Sequence, residues 1–168
     1  TFPEIYEMQV RAIFEAACEL KKKGLNPIPE VMIPLVSLIG ELEICFEYTN
    51  RIAKEVMAAK KVEVEYMIGT MIELPRACVI ADDIAKIAQF VSFGTNDLTQ
   101  TAFGFSRDDV EGKFFPSYVS QRIFQVSPFE TLDVQGVGGL VDMACKKGRG
   151  TNEKLELGIC GEHGGDPK

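Results

Sequence analysis

Long apolar runs, basic clusters and paired cysteines are all missing from this sequence of 168 residues. No stretch is apolar for the roughly 20 residues that a membrane-spanning helix needs, so we expect no membrane partner. Lysine and arginine total 18 against 25 aspartate and glutamate, and no basic run is present to neutralise nucleic-acid phosphates. Nucleic acid is therefore not an expected partner. With a formal charge of −7, the chain would have to hold an anionic substrate through a local cation such as a metal ion.

The cysteines and the histidine also limit the chemistry. The five cysteines are scattered and include no Cys-x-x-Cys pair, which is typical of reduced thiols in a cytosolic protein. We therefore predict a cytoplasmic location. Cys160 lies near the only histidine, His163, but one cysteine and one histidine are too few ligands for zinc. A structural role is the expectation for His163.

The ends of the chain indicate a piece of a larger protein. The sequence begins Thr1-Phe2-Pro3, without an initiator methionine or a signal-like leader, and stops at Lys168 inside an expected loop. The prediction of a cytoplasmic location leaves open an organelle-targeting segment ahead of Thr1 in the parent. A hydrophobic content of 46% is enough to form the core of one globular domain.

Helical and strand-like patterns alternate along the chain. The predicted order is helix 4–23, strand 31–36, helix 40–60, strand 62–72, helix 77–88, strand 90–94, a loose segment 103–133, helix 136–147 and a last strand 157–160. Such alternation requires parallel strands with right-handed crossovers, either in a doubly wound sheet or in part of a (β/α)8 barrel. Because a complete barrel needs about 250 residues, only about half of one would be present, with two unpaired edges.

Two acidic residues stand directly after predicted buried strands. Glu73 follows the apolar end of strand 62–72, and Asp97 follows strand 90–94. Their separation of 24 positions matches a strand plus a crossover helix, so both carboxylates should emerge at the same edge of the sheet. There they would be close enough to share one hard cation such as Mg²⁺.

A second interpretation of these acids is structural. Acids at strand ends often cap the next helix, and Glu73 and Asp97 would then belong to a binding or assembly module whose sheet edges recruit another chain. The functional interpretation is favoured because an acid after a buried strand needs a positive partner. Gly94 would let the backbone approach a ligand, and Thr95 and Asn96 offer donors to a carboxylate or enolate oxygen.

Several segments resemble the pyruvate, phosphate dikinase family. They are residues 69–77 (GTMIELPRA), 93–100 (FGTNDLTQ), 103–109 (FGFSRDD) and 159–167 (ICGEHGGDP), and the likeness runs from residues 3–9 through essentially the whole chain. The relatives phosphoenolpyruvate (PEP) synthase and enzyme I of the sugar phosphotransferase system share the acid-bearing strand ends. They match the third and fourth segments less well, so they remain the alternative.

The resemblance implies a fragment, spanning residues 1–168, of the family's carboxy-terminal PEP/pyruvate-binding (β/α)8 barrel, roughly its fourth to seventh βα units. Carried over by motif, Glu73 and Asp97 would be Mg²⁺ ligands, and Glu73, Gly94, Thr95, Asn96 and Asp97 would line the substrate. The family interconverts ATP, pyruvate and phosphate with AMP, PEP and diphosphate. The phosphoryl group passes from a phosphohistidine on another domain of the same protein, and members commonly dimerise through this barrel.

Part of the family's machinery has no counterpart in this sequence. Its substrate-binding arginines lie on earlier barrel strands, and its proton-donating cysteine belongs to a Ser-Cys-Ser-Pro-Phe-Arg segment that we expect beyond Lys168. No catalytic residue is therefore assigned. Cys160 lies in the preceding strand's motif, and His163 is not the phosphorylated histidine. The resemblance implies that the chain alone is inactive.

Overall fold

The fold is α/β and is built on a four-stranded parallel sheet. We describe it from a computed structural model, which covers residues 2–167. The strands are β1 (Glu30–Ile33), β2 (Met67–Ile72), β3 (Phe90–Gly94) and β4 (Glu156–Cys160). They pair in chain order. The predicted α/β class and the parallel pairing are both confirmed.

Helices precede the first strand and fill the crossovers between strands. They are α1 (Pro3–Lys22), α2 (Ile39–Lys60), α3 (Pro75–Val79), α4 (Ala81–Ile84), α5 (Thr95–Phe103), α6 (Arg107–Glu111), α7 (Phe115–Ser120) and α8 (Val137–Thr151), and a 3-10 turn covers Glu162–Gly165. The first helix ends as predicted. Gly24 adopts a left-handed conformation with φ of 85°, and the Leu25 N–H donates back to the Leu20 carbonyl at 3.2 Å.

The second strand is shorter than the sequence pattern predicts. The prediction of a strand over 62–72 is wrong at its start, because β2 begins at Met67, which pairs with Glu30 at the first position of β1. Residues 62–66 have no neighbouring strand with which to form a ladder. The Val62 N–H donates instead to the Met57 carbonyl at 3.1 Å, which closes the end of α2.

The segment 103–133 contains more order than predicted. It folds into α6 and α7, two helices of five and six residues that are too short to produce a clear helical period. Around them lies a second apolar cluster, formed by Val110, Phe115, Phe129, Phe105 and Phe124. The phenylalanines of this cluster therefore serve packing.

The two faces of the sheet differ. On one face Val31, Ile72 and Val91 pack into the main core with the helices. The opposite face carries Met32 and Ser92 and opens onto a cavity of about 260 Å³ at the start of the strands. One face is thus covered by helices and the other is only partly filled.

No helix among residues 2–167 is both long enough and apolar enough to span a bilayer.

Candidate functional site

The carboxyl ends of the strands form a cavity of about 240 Å³. All four strands run parallel, so the residues that follow them meet at one edge of the sheet. The cavity is lined by Met71, Glu73, Gly94, Thr95, Asn96, Asp97, Cys160 and Gly161. Every site residue predicted from the sequence therefore lies at this one place, contributed by the ends of β2 and β3 and the start of α5.

Glu73 is held by the turn that follows β1. It is buried, with 4% of its surface exposed, and its Oε1 accepts a hydrogen bond from the Leu35 N–H at 2.8 Å. Leu35 has φ of 54°, a left-handed conformation that costs a non-glycine residue about 1–3 kcal/mol. The Arg76 guanidinium, on α3, donates to the Ser37 carbonyl of the same segment. A strained turn thus supplies one fixed donor to the Glu73 carboxylate.

Asp97 lies in the first turn of α5, where negative charge is favoured by the helix dipole. Its Oδ1 accepts a hydrogen bond from the Gln100 side-chain amide at 3.0 Å. Sequence reasoning missed both Leu35 and Gln100. A backbone N–H donor cannot be recognised from the type of its residue. Gln100 stands in the motif 93–100, but nothing in the motif indicates that its amide contacts Asp97.

The Glu73 carboxyl group is affected by its burial and by Asp97. Burial raises the pKa of Glu73 above its ordinary value, and the neighbouring Asp97 carboxyl raises that pKa further. The Leu35 N–H acts in the opposite direction. Two carboxylates that line one small cavity favour a proton or a cation between them.

The donor set fits a magnesium ion. Mg²⁺ prefers oxygen ligands and usually binds through one or two carboxylates, with water and substrate oxygens completing its shell. Within residues 2–167 no group of three or more histidine, cysteine, aspartate or glutamate side chains is arranged to hold a metal. Glu73 and Asp97 could supply two carboxylates to such an ion, and water and a ligand would have to fill its other positions.

Thr95 and Asn96 line the cavity beside the last strand. The Thr95 hydroxyl donates to the Cys160 carbonyl at 3.0 Å, so donating to a substrate would require breaking that bond. Asn96 Oδ1 is buried and has no hydrogen-bond partner. Gly161 has φ of 92°, and a side chain there would place its Cβ 2.9 Å from Thr95 Oγ1. The unpaired Asn96 oxygen is an acceptor, so it cannot itself donate to a carboxylate or enolate oxygen.

Cys160 and His163 have structural contacts. The Cys160 thiol lies 3.5 Å from the Phe93 carbonyl. His163 is buried, and its Nε2 donates to the Pro128 carbonyl at 2.8 Å. The expectation of a structural role for His163 agrees with this contact, because the ring ties the turn after β4 to the segment before α8.

A second, more apolar cavity of about 440 Å³ adjoins the first. It is lined by Leu35, Leu74, Asp97, Gln100, Thr101, Gly104, Phe105 and Ser106. Asp97 lines both cavities, and the turn between α5 and α6 forms one wall of the second. The candidate site is therefore open on the side of the second apolar cluster.

Comparison with known proteins finds relatives over essentially the whole chain. The family model described as "PEP-utilising enzyme, PEP-binding domain" matches residues 1–168. Pyruvate, phosphate dikinase 1, chloroplastic, of Arabidopsis thaliana is 56% identical over 99% of the chain and 17% of that protein. The pyruvate, phosphate dikinase of Giardia intestinalis is 56% identical over 96% of the chain and 18% of its own length.

The corresponding enzyme of Clostridium symbiosum is 54% identical over 99% of the chain and 19% of its own length. The chain thus spans less than a fifth of the length of these relatives. Since the family model matches it from end to end, the chain belongs to the PEP-binding domain family of PEP-utilising enzymes.

Proposed function

We propose that this chain is the PEP/pyruvate-binding segment of a pyruvate, phosphate dikinase, which interconverts ATP, pyruvate and phosphate with AMP, PEP and diphosphate. The observation that carries the proposal is the meeting of Glu73, Gly94 and Asp97 in one cavity at the strand ends. Relatives named pyruvate, phosphate dikinase that are more than half identical over almost the whole chain support it. PEP synthase or an enzyme I-like barrel is the alternative.

The architecture that we propose is part of a (β/α)8 barrel, roughly its fourth to seventh units. Four parallel strands in chain order support it, together with helices on one face of the sheet only. The partly filled face, with Met32 exposed, would be the barrel interior. In a complete barrel that interior is packed with side chains from all eight strands.

Within the proposed site Glu73 and Asp97 would hold Mg²⁺. When bound, the ion would stabilise the negative charge that develops on the enolate oxygen of pyruvate. Leu35 and Gln100 keep the two carboxylates in place through their N–H groups. Gly94, without a side chain, leaves room for the substrate beside Glu73.

The remaining parts of the reaction would come from elsewhere in a parent protein. We propose that the phosphoryl group arrives from a phosphohistidine domain of that protein, and that the parent is a homodimer. The cytoplasmic location also stays a prediction, and the printed name of the Arabidopsis relative includes "chloroplastic".

Calorimetric titration with Mg²⁺ and oxalate, an analogue of enolpyruvate, tests the site. The wild-type chain should bind both together, whereas Glu73→Gln and Asp97→Asn should each abolish the signal by removing one negative ligand. Glu73→Gln keeps an acceptor for the Leu35 N–H and relieves the repulsion from Asp97, so its stability in urea should not fall.

Glu156→Gln is the matched control, because Glu156 begins β4 at the opposite edge of the sheet. It should bind like the wild type. Equal, weak binding by all four proteins would contradict the enolate site and favour the binding or assembly module, in which the acids only cap helices.

We also propose that the chain does not turn over by itself. The family's substrate-binding arginines and proton-donating cysteine have no counterpart in the motifs of this chain. A coupled assay for PEP formation from ATP, phosphate and pyruvate should therefore show no rate above the blank. Measurable turnover by the purified chain would refute this part of the proposal.

A further inference from the structure

We infer that Gln100 is a positioning residue for Asp97 and that it links the candidate metal site to the turn between α5 and α6. This inference rests on the proposed function. Gln100 lies three residues after Asp97 on α5, so both side chains share one face of the helix. Gln100 does not touch the proposed substrate position itself, and it would act through the carboxylate.

Both ends of the Gln100 side-chain amide are bonded. Its Nε2 donates to Asp97 Oδ1 at 3.0 Å, and its Oε1 accepts from the Arg107 N–H at 2.9 Å. A backbone N–H can only donate, so the amide atom that faces Arg107 must be the oxygen. The amino group must then face Asp97. The orientation of the amide, and with it the donor to Asp97, is fixed by the backbone of the next helix.

The backbone at Arg107 is itself anchored. The Arg107 guanidinium pairs with Glu111 at 2.9 Å and with Glu162, in the turn after β4, at 2.8 Å. It also lies over the Phe129 ring, 5.5 Å from its centre. Gln100 thus connects Asp97, through Arg107, to the second apolar cluster and to the segment that follows the last strand.

For metal binding, the hydrogen bond from Gln100 would orient the Asp97 carboxylate. A carboxylate with one oxygen engaged by a fixed donor has fewer rotamers and presents its other oxygen to a ligand. Groups that orient metal ligands in this way typically change metal affinity by about 10–100-fold when they are removed. We expect the lower end of this range, because Gln100 is only partly buried and water can replace its amino group.

Gln100→Met removes both hydrogen bonds at nearly constant size. In calorimetric titration with Mg²⁺ and oxalate, the affinity of the chain for Mg²⁺ should fall about tenfold. Electron paramagnetic resonance of Mn²⁺ bound in place of Mg²⁺ should show an altered spectrum, because Asp97 no longer presents the same oxygen. A purely structural role would lower stability in urea without changing that spectrum.

Gln89→Met is the matched control. The Gln89 side chain also accepts from a backbone N–H, that of Ile68 at 2.8 Å, but at the opposite end of the sheet. It should leave the Mg²⁺ affinity and the Mn²⁺ spectrum unchanged. If Gln100→Met does not fold, Gln100→Asn replaces it, because asparagine is one methylene too short to span Asp97 and Arg107.

The outcomes separate this inference from the proposed function. Wild-type binding with unchanged affinity and spectrum in the Gln100 variant overturns the inference alone. No binding by the wild-type chain overturns the proposed function, and the inference falls with it. Weakened binding in the Gln100 variant, with a normal Gln89 control, supports both.

Discussion

Gly69→Ala is expected to destabilise the fold by about 3 kcal/mol, at the upper end of the typical cost of overpacking a core. A Cβ at this β2 position would lie 2.2 Å from the Phe90 carbonyl oxygen and 2.6 Å from the Phe90 ring. The ring could turn aside, but the carbonyl is backbone in β3, and moving it would disturb the sheet. For a chain of this size the melting temperature should fall by roughly 10 °C, measurable by circular dichroism.

Gly158→Ala is the natural control for this substitution. Gly158 also lies in a strand, and its added Cβ would meet Ser92 Oγ at 3.5 Å, an ordinary contact. Its stability should stay within about 0.5 kcal/mol of the wild type. If both variants melted at the wild-type temperature, the close approach of β2 and β3 at Gly69 would be disproved.

The sequence predicted the order of the elements because most of their signals are local. Gly24 marks the end of α1, and strand 90–94 is a short apolar run that β3 reproduces residue for residue. The start of β2 could not be predicted in the same way. It depends on where β1 begins, since strand 62–72 can form a ladder only from the position opposite Glu30.

The candidate site likewise contains features that the sequence predicts and features that it does not. Glu73 and Asp97 could be placed together because parallel strands end at one edge, a consequence of topology alone. The groups that hydrogen-bond to these two carboxylates could not be predicted. Leu35 contributes a backbone N–H from a left-handed turn, and Gln100 contributes an amide whose orientation depends on Arg107, seven residues away. Such contacts follow from the tertiary path of the chain.

Gly94→Ala should abolish the binding of Mg²⁺ with oxalate and also lower the stability of the chain. Gly94 has φ of −82°, which alanine adopts without strain, so only the contacts oppose the change. The new Cβ would lie 2.6 Å from Glu73 Oε2, 2.6 Å from Met71 Sδ and 2.9 Å from Glu73 Cβ. The methionine can move aside, but Glu73 Cβ is fixed close to its backbone.

The Glu73 side chain would therefore be displaced, which would disturb its bond with the Leu35 N–H. We expect a stability loss of about 1–3 kcal/mol in urea, together with the absence of a calorimetric signal. Gly164→Ala, whose Cβ would have no neighbour closer than 3.8 Å, is the control near the same edge of the sheet and should bind normally. Normal binding by Gly94→Ala would mean that the position of Glu73 does not matter to the ligand, which the proposed metal site does not allow.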